Sequence, residues 1–145
     1  MLTRPAQTSD IQTIYRFICD LEETVLDFSL FEQYYLQNIA NKNYLYLVTV
    51  DKDNAVIGYI SCHGQALLHH AAMVFEIQEM YVDKHYRQQG VGQQLINALE
   101  EWLQKNNHHL LEVTANIIRT GTHHFYSRAG FTQTHLKFTK MLGEH

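Results

Sequence analysis

The sequence predicts an α+β fold, in which a mixed sheet of six to seven strands is flanked by about four helices. Two β-rich runs, Tyr44–Val50 and Ala55–His63, enclose the turn-forming residues 51–54 and predict a hairpin. The apolar run Met73–Val82 predicts a central strand. Apolar residues then recur every three or four positions, which predicts an amphipathic helix over Gly90–Asn106.

The remaining elements follow from caps, periodicity and turn residues. Residues 8–10 offer helix caps before the first periodic segment. The last strand is long enough to break in two, which gives the seventh strand. In chain order, these elements are an extended start over Leu2–Arg4, helices over Ile11–Val25 and Phe28–Ala40, a loop over Gly64–Ala72, a short strand over Leu110–Ala115, a helix over Gly121–Arg128 ended by Gly130, and a terminal strand from Phe131 onward, especially Leu136–Leu142.

Length and composition limit the classes of protein. The 145 residues suffice for one core, so 1–145 is predicted to be a single domain. A formal net charge of −4 argues against a nucleic-acid partner, which needs a basic face. No apolar run has transmembrane length and no signal pattern opens the chain, so we expect a cytoplasmic protein without a membrane partner. Cys19 and Cys62 fit reduced, buried thiols.

The turn between the central strand and the central helix carries the pattern Arg87-x-x-Gly90-x-Gly92. Glycines let a ligand approach the backbone, since no Cβ stands in the way. The first N–H groups of a helix have no internal partner, and the helix dipole favours an anion there. This turn is therefore a candidate phosphate-binding loop, although an ordinary strand-to-helix turn has the same pattern.

Two familiar glycine loops do not fit this segment. A P-loop needs Lys and Ser or Thr after its last glycine, and Gln93 and Gln94 stand there. A dinucleotide fingerprint needs a third glycine three residues after the second, and that position is Leu95.

Ten histidines are unusual in a chain of this length. The adjacent pairs have two readings: solvated loop and helix-end residues, or a metal or acid–base role near a site. No pair has the H-E-x-x-H spacing of a zinc helix. The pairs are His69–His70, His108–His109 and His123–His124.

Three segments in order resemble the GNAT superfamily of N-acetyltransferases. The loop 87–92 resembles that family's pyrophosphate loop for acetyl-coenzyme A. The strand EIQEMYV (Glu76–Val82) precedes the loop at the family's usual distance, and HHFYSRAGF (His123–Phe131) resembles its Tyr-x-x-x-Gly-Phe ending. The resemblance implies the GNAT fold and acetyl transfer from acetyl-coenzyme A to an amine.

A narrower resemblance is to aminoalkylphosphonate N-acetyltransferases. It rests on EIQE, on LHH (Leu68–His70), on the spacing from Asn116 to Tyr126, and on the ending Lys137–Lys140. Those enzymes acetylate small amines that bear a phosphonate and are associated with a divalent metal. An aminoalkylphosphonate is thus the leading acceptor. Other small amines (a polyamine, an aminoglycoside, an amino acid) and a protein lysine or N-terminus are alternatives, and a non-catalytic acyl-coenzyme A sensor is a reading from another class.

The resemblance assigns catalytic roles. Tyr126 matches the acid that protonates the leaving thiolate, although it also fits a core tyrosine before a Gly-Phe turn. Glu76, eleven residues before Arg87, matches the general base, and Glu79 is the alternative. Residues three apart on a regular strand point to opposite faces, so only one glutamate should face the substrate unless a bulge intervenes.

The same resemblance assigns the donor site. An asparagine usually contacts the pantetheine arm; the longer spacing to Tyr126 leaves the choice between Asn116 and Arg119 open. Gln88 stands where the family often has glycine, a change that backbone binding tolerates. The implied cofactor-binding residues are Met80, Tyr81, Val82, Arg87, Gln88, Gln89, Gly90, Val91, Gly92, Gln93, Asn116 and Arg119.

A phosphonate dianion needs cations or a metal to hold it, and the chain has 11 Lys and Arg. A divalent metal held by His69 or His70 with Glu79 is one solution, because imidazole and carboxylate suit zinc, nickel or manganese. The loop 64–72 leads into the central strand and is expected near the acceptor. Histidines that merely cap the loop are the alternative. The assembly state stays open, with a homodimer as one alternative.

Overall fold

A computed structural model of the protein describes residues 1–116 and 119–143. The chain divides into two compact units, the first over 1–113 and the second beginning at Thr114. The prediction that 1–145 form a single domain stays a prediction. Within the described ranges, no helix combines the length and the apolarity that a bilayer crossing requires.

The first unit is built on a five-stranded sheet whose strand order is β1-β2-β3-β4-β5. The first four strands pair antiparallel and β5 pairs parallel with β4, so the sheet is mixed, as predicted. The strands are β1 (Leu2–Pro5), β2 (Tyr44–Val50), β3 (Val56–Leu67), β4 (Ala72–Val82) and β5 (Leu111–Val113).

The described residues form four α-helices, in agreement with the predicted number. Each lies within three residues of its predicted bounds. Short 3₁₀ turns over Thr8–Asp10 and Lys84–Tyr86 precede the first and third helices. The helices are α1 (Ile11–Glu22), α2 (Phe28–Ile39), α3 (Val91–Lys105) and, in the second unit, α4 (Thr120–Arg128).

The helices α1 and α2 cover one face of the sheet. Their apolar stripes meet alternate residues of β2 and β3, because alternate strand residues share a face. The start of α1 is fixed by Asp10, which accepts hydrogen bonds from Arg4 at 2.8 and 3.0 Å and from the Gln7 N–H at 2.7 Å. The resulting core consists of Ile14, Phe17, Ile18, Tyr35, Tyr46, Val48, Val50 and Tyr59.

The helix α3 packs on the opposite face. Gly58 makes this packing close: a Cβ there would lie 2.7 Å from Val91 Cγ1 and 3.2 Å from Leu95 Cδ1. Tyr59, the next residue of β3, belongs to the α1–α2 core instead. Gly58 therefore lets the first turn of α3 lie directly against the sheet. This contact fixes the position of the helix start that follows the glycine loop.

The predicted loop over Gly64–Ala72 is wrong. The hairpin of β3 and β4 continues to the pair Leu67–Ala72, and only residues 68–71 form the turn, with Ala71 at φ 49°. Composition suggested a loop, but the antiparallel ladder continues because each strand supplies partners for the other. This turn lies at the start of β4, whereas the glycine loop follows its end.

The predicted terminal strand is also wrong, and the sheet has five strands rather than six to seven. Residues 131–143 form no strand in the part of the chain that the structure describes. Their apolar side chains are exposed, including Leu136 at 73% and Phe138 at 88%. The composition of this segment records β propensity, but a strand forms only where a neighbour pairs with it.

Candidate active site

The glycine loop presents the backbone of the α3 N-terminus. Gly90 is the N-cap residue and has φ 83°, a left-handed conformation that favours glycine. Within the described residues no side chain caps this helix, and no protein atom lies within 4 Å of where a Gly90 Cβ would stand. The first N–H groups of α3 thus have no side-chain cap in the described chain, an arrangement that fits the pyrophosphate of acetyl-coenzyme A.

Arg87 is held beside this helix terminus. Its Nε donates a hydrogen bond to the Val82 carbonyl at 3.0 Å, and its guanidinium lies 5.2 Å from the centre of the Tyr81 ring. Gln88 has φ 63°, so its backbone takes the conformation that a glycine would adopt without strain. The predicted donor residues of this segment are thus assembled on one turn, with the arginine fixed at its base.

A β-bulge in β4 brings Glu76 and Glu79 to the same face of the sheet. Glu79 pairs with Ser61 and Glu76 with His63, and Gln78 is the additional residue between the two registers. Since Ser61 and His63 are two apart on β3, they share a face, and their partners share it with them. The opposite orientation expected of a regular strand does not occur here. The face is the one covered by α1 and α2.

Glu79 is the more enclosed of the two carboxylates. Its Oε1 accepts a hydrogen bond from the Ser61 hydroxyl and another from the Tyr59 hydroxyl at 3.3 Å. Burial raises the pKa of the Glu79 carboxyl, and these two hydrogen bonds only partly offset that effect. Both bonds end on Oε1, so Oε2 has no hydrogen-bond partner among the described residues. The arrangement suits a carboxylate that accepts a proton.

A second polar group surrounds His63. The Tyr46 hydroxyl lies 2.8 Å from His63 Nε2 and accepts a hydrogen bond from Asn38 Nδ2 at 2.8 Å. The His63 ring stacks on Tyr44 with centroids 3.7 Å apart. Burial lowers the pKa of His63, and the charge of Glu76 partly opposes that shift. The imidazole is therefore neutral at neutral pH.

A cavity of about 350 Å³ opens where the C-terminal half of α1 meets the end of β4. Tyr81 lies at its wall, packs against Phe17 and donates a hydrogen bond to Asp20 at 3.2 Å. Two cations, Arg16 and Lys84, also line it, as do the carboxylates Asp20 and Asp83. Tyr81 follows Glu79 by two residues on β4, so the cavity lies on the same side of the sheet as the carboxylates.

The second unit carries Tyr126 in α4. Its ring makes edge contacts with Phe125 and Phe131, and burial raises its pKa to about 12. The phenol therefore keeps its proton at neutral pH. The Asn116 carbonyl accepts a hydrogen bond from the Arg119 N–H at 3.0 Å and lies 2.7 Å from His123 Nε2. These contacts leave the choice between Asn116 and Arg119 open.

The predicted metal ligands are not brought together. His69 and His70 lie in the hairpin turn before β4, with their ring centroids 4.5 Å apart. Glu79 lies on β4, seven residues after the first residue of that strand. That separation is about 20 Å at the rise of a β-strand. Within 1–116 and 119–143, no group of three or more His, Cys, Asp or Glu has the arrangement of a metal site.

The sequence reasoning missed the residues that surround the carboxylates. Tyr59, Ser61 and His63 alternate along an otherwise apolar strand, as do Tyr44 and Tyr46 on the neighbouring one. Polar side chains at every second position of two core strands were the sequence signal that could have indicated these residues.

Comparison with known proteins agrees with this geometry. The model of the acetyltransferase (GNAT) family matches residues 9–131. The chain is 37% identical to the aminoalkylphosphonate N-acetyltransferase of Salmonella typhimurium, over 96% of this chain and 90% of that protein.

Two solved structures share the fold at low identity. A transcriptional regulator from Bacillus halodurans has a TM-score of 0.87 at 17% identity, covering 97% of this chain and 99% of that one. Aminoglycoside 6'-N-acetyltransferase AAC(6')-Ih from Acinetobacter baumannii has a TM-score of 0.83 at 18% identity, covering 98% and 99%. The chain belongs to the acetyltransferase (GNAT) family and is an acetyl-coenzyme A-dependent N-acetyltransferase.

Proposed function

We propose that this enzyme acetylates the primary amine of a small molecule, and that the leading acceptor is an aminoalkylphosphonate. The observation that carries the acceptor class is the 37% identity, over 96% of the chain, to an enzyme named for that substrate. The enclosed Glu79 supports the chemistry, because an alkylammonium with a pKa near about 10 must lose a proton before it can attack.

We assign the donor site to the glycine loop. Bound acetyl-coenzyme A supplies the acetyl thioester. The N–H groups of residues 88–93 hold its pyrophosphate, together with the side chain of Arg87. Met80, Tyr81 and Val82 at the end of β4, with Asn116 or Arg119, contact the rest of the molecule, as the family resemblance implies. The open space beside Gly90 supports this assignment.

Glu79 is our candidate for the base, and Glu76 is the alternative on the same face. Glu79 Oε2 takes the proton from the acceptor's ammonium group. The freed amine forms the new N–C bond as the C–S bond of the thioester breaks, and Tyr126 gives its proton to the departing sulfur. A raised pKa makes Glu79 a stronger base than an exposed glutamate, and an even higher pKa keeps Tyr126 protonated until that step.

Arg16 and Lys84 supply cations for a phosphonate. Both line the cavity beside Tyr81, two residues beyond Glu79, where they also offset the charges of Asp20 and Asp83. A zwitterionic acceptor would then place its ammonium at the carboxylates and its phosphonate at these cations. The proposal needs no metal at the histidine turn.

The test is the release of coenzyme A thiol with an aminoalkylphosphonate and with alkylamines of matched length that lack the phosphonate. The wild type should prefer the phosphonate, and Lys84→Met should reduce kcat/KM for the phosphonate while leaving the plain amine unaffected. A control, Lys52→Met in the β2–β3 turn, should change neither rate. Equal rates on both acceptors in the wild type would move the enzyme to another small amine.

A further inference from the structure

Arg87 is an exposed cation whose guanidinium is held at two points. Its Nε donates a hydrogen bond to the Val82 carbonyl at 3.0 Å, and its central carbon lies 5.2 Å from the centre of the Tyr81 ring. A guanidinium over an aromatic ring at this distance is attracted by the negative charge of the ring face. The hydrogen bond therefore fixes one edge of the guanidinium, and the Tyr81 ring supports the rest of the group.

Both groups that hold Arg87 are neutral. A carboxylate partner would also immobilise the guanidinium, but it would offset the positive charge. Asp20 and Glu23 border the same surface depression as Arg87, yet neither forms an ion pair with it in the described part of the chain. Its terminal N–H groups likewise have no hydrogen-bond acceptor among the described residues. The charge and these donors of Arg87 therefore stay available to an anionic ligand.

The Tyr81 ring is itself fixed by the first helix. It packs against Phe17 with ring centroids 4.8 Å apart, and its hydroxyl donates a hydrogen bond to the Asp20 carboxylate at 3.2 Å. Phe17 and Asp20 both belong to α1, whereas Tyr81 lies on β4. Contacts between α1 and β4 thus hold the ring in place before any ligand binds.

We propose that Tyr81 is a positioning residue for acetyl-coenzyme A: its ring holds the Arg87 guanidinium ready for the pyrophosphate without neutralising it. An exposed arginine loses rotamer freedom when an anion immobilises it, which weakens binding. An arginine that is fixed beforehand avoids most of that loss, so the donor binds more tightly. The inference rests on the proposed donor site at the glycine loop.

Two replacements of Tyr81 separate its ring from its hydroxyl, with the affinity for coenzyme A measured by calorimetry. Tyr81→Phe keeps the ring and should bind coenzyme A within about twofold of the wild type. Tyr81→Leu removes the ring and should weaken binding about 3- to 30-fold, the range of a cation–π contact. Phe31→Leu removes another half-buried aromatic ring from the α1–α2 core and should leave the affinity unchanged. Equal losses in the two Tyr81 variants would overturn the role of the ring.

A shortened donor separates positioning from packing. S-acetylpantetheine carries the same thioester as acetyl-coenzyme A but ends before the pyrophosphate. Tyr81→Leu should therefore raise KM for acetyl-coenzyme A and leave kcat/KM for S-acetylpantetheine unchanged. A packing defect at the end of β4 would reduce the reaction of both donors. Similar losses with the two donors would thus overturn the proposal.

A double-mutant cycle tests whether the Tyr81 ring acts through Arg87. Arg87→Met alone should weaken the binding of coenzyme A, and the addition of Tyr81→Leu should then cost nothing further. Additive losses would overturn the positioning role of Tyr81 and leave Arg87 in the donor site. Normal binding by Arg87→Met would overturn the assignment of Arg87 to the donor site, and the positioning role with it. Circular dichroism checks the fold of each variant, and Tyr81→Met replaces Tyr81→Leu if the latter does not fold.

Discussion

Ser61 and Glu79 exchange two hydrogen bonds across the β3–β4 ladder: the Ser61 hydroxyl donates to Glu79 Oε1 and accepts from the Glu79 backbone N–H at 3.1 Å. The exchange occurs where the bulge at Gln78 shifts the register of β4. A bulge leaves the ladder locally irregular, and the serine satisfies the groups that it exposes. The same contact holds the carboxylate that we propose as the base.

Ser61→Ala tests this contact. The Ser61 hydrogen bond lowers the pKa of Glu79, so its loss should raise that pKa further. The acidic limb of the kcat/KM profile should move to higher pH, and the unfolding free energy should fall by about 1–3 kcal/mol.

Thr49→Val is the control for Ser61→Ala. It removes another buried hydroxyl, one hydrogen-bonded to Thr3 at 2.8 Å. It should lower stability without moving the pH profile. A profile that moves equally in both variants would show that Ser61 has no specific effect on the base.

Glu79→Gln should stabilise the protein at alkaline pH while it reduces turnover. The folded-state pKa of Glu79 is raised above its ordinary value of 4.5. Its favourable contribution is thus fully present below that ordinary value and is lost as pH rises through the folded-state pKa. Glutamine keeps the acceptor for Ser61 and Tyr59 but carries no charge. The difference in Tm between variant and wild type should therefore grow from pH 4 to pH 8; a constant difference would contradict the assignment.

Gly90→Val should abolish coenzyme A binding without unfolding the chain. Valine is strained at φ 83°, but its Cβ meets no described protein atom within 4 Å. Calorimetry of coenzyme A binding measures the effect, and circular dichroism checks the fold. Normal binding by the variant would show that the loop assignment is wrong.

Tyr126→Phe removes one hydroxyl and preserves the edge contacts of its ring with Phe125 and Phe131. Without the proton donor, turnover should fall roughly 10- to 1,000-fold. The affinity for acetyl-coenzyme A should change little. The measurement is single-turnover kinetics, so that chemistry is observed rather than product release. An unchanged rate would leave Tyr126 as a packing residue.

Much of the fold was predictable because it depends on local patterns. Apolar spacing defined α3, and the β-rich composition of Tyr44–Val50 gave β2 with the bounds that the structure shows. The Arg87-x-x-Gly90-x-Gly92 loop indicated the family before any contact was known. Gly90 takes a left-handed conformation at the helix start. Because this requirement is local, the sequence meets it with the residue type that favours that conformation.

Only the tertiary structure decided which polar residues meet. The bulge at Gln78 places Glu76 and Glu79 on one face, and no residue spacing announces a register shift between two strands. The hydrogen bonds of Glu79 and His63 reach residues at least seventeen positions away in the chain. Strand pairing also explains why residues 131–143 do not form the predicted terminal strand, since a strand needs a neighbour. Sequence determines local conformation and family, whereas the choice of neighbours is a property of the packed chain.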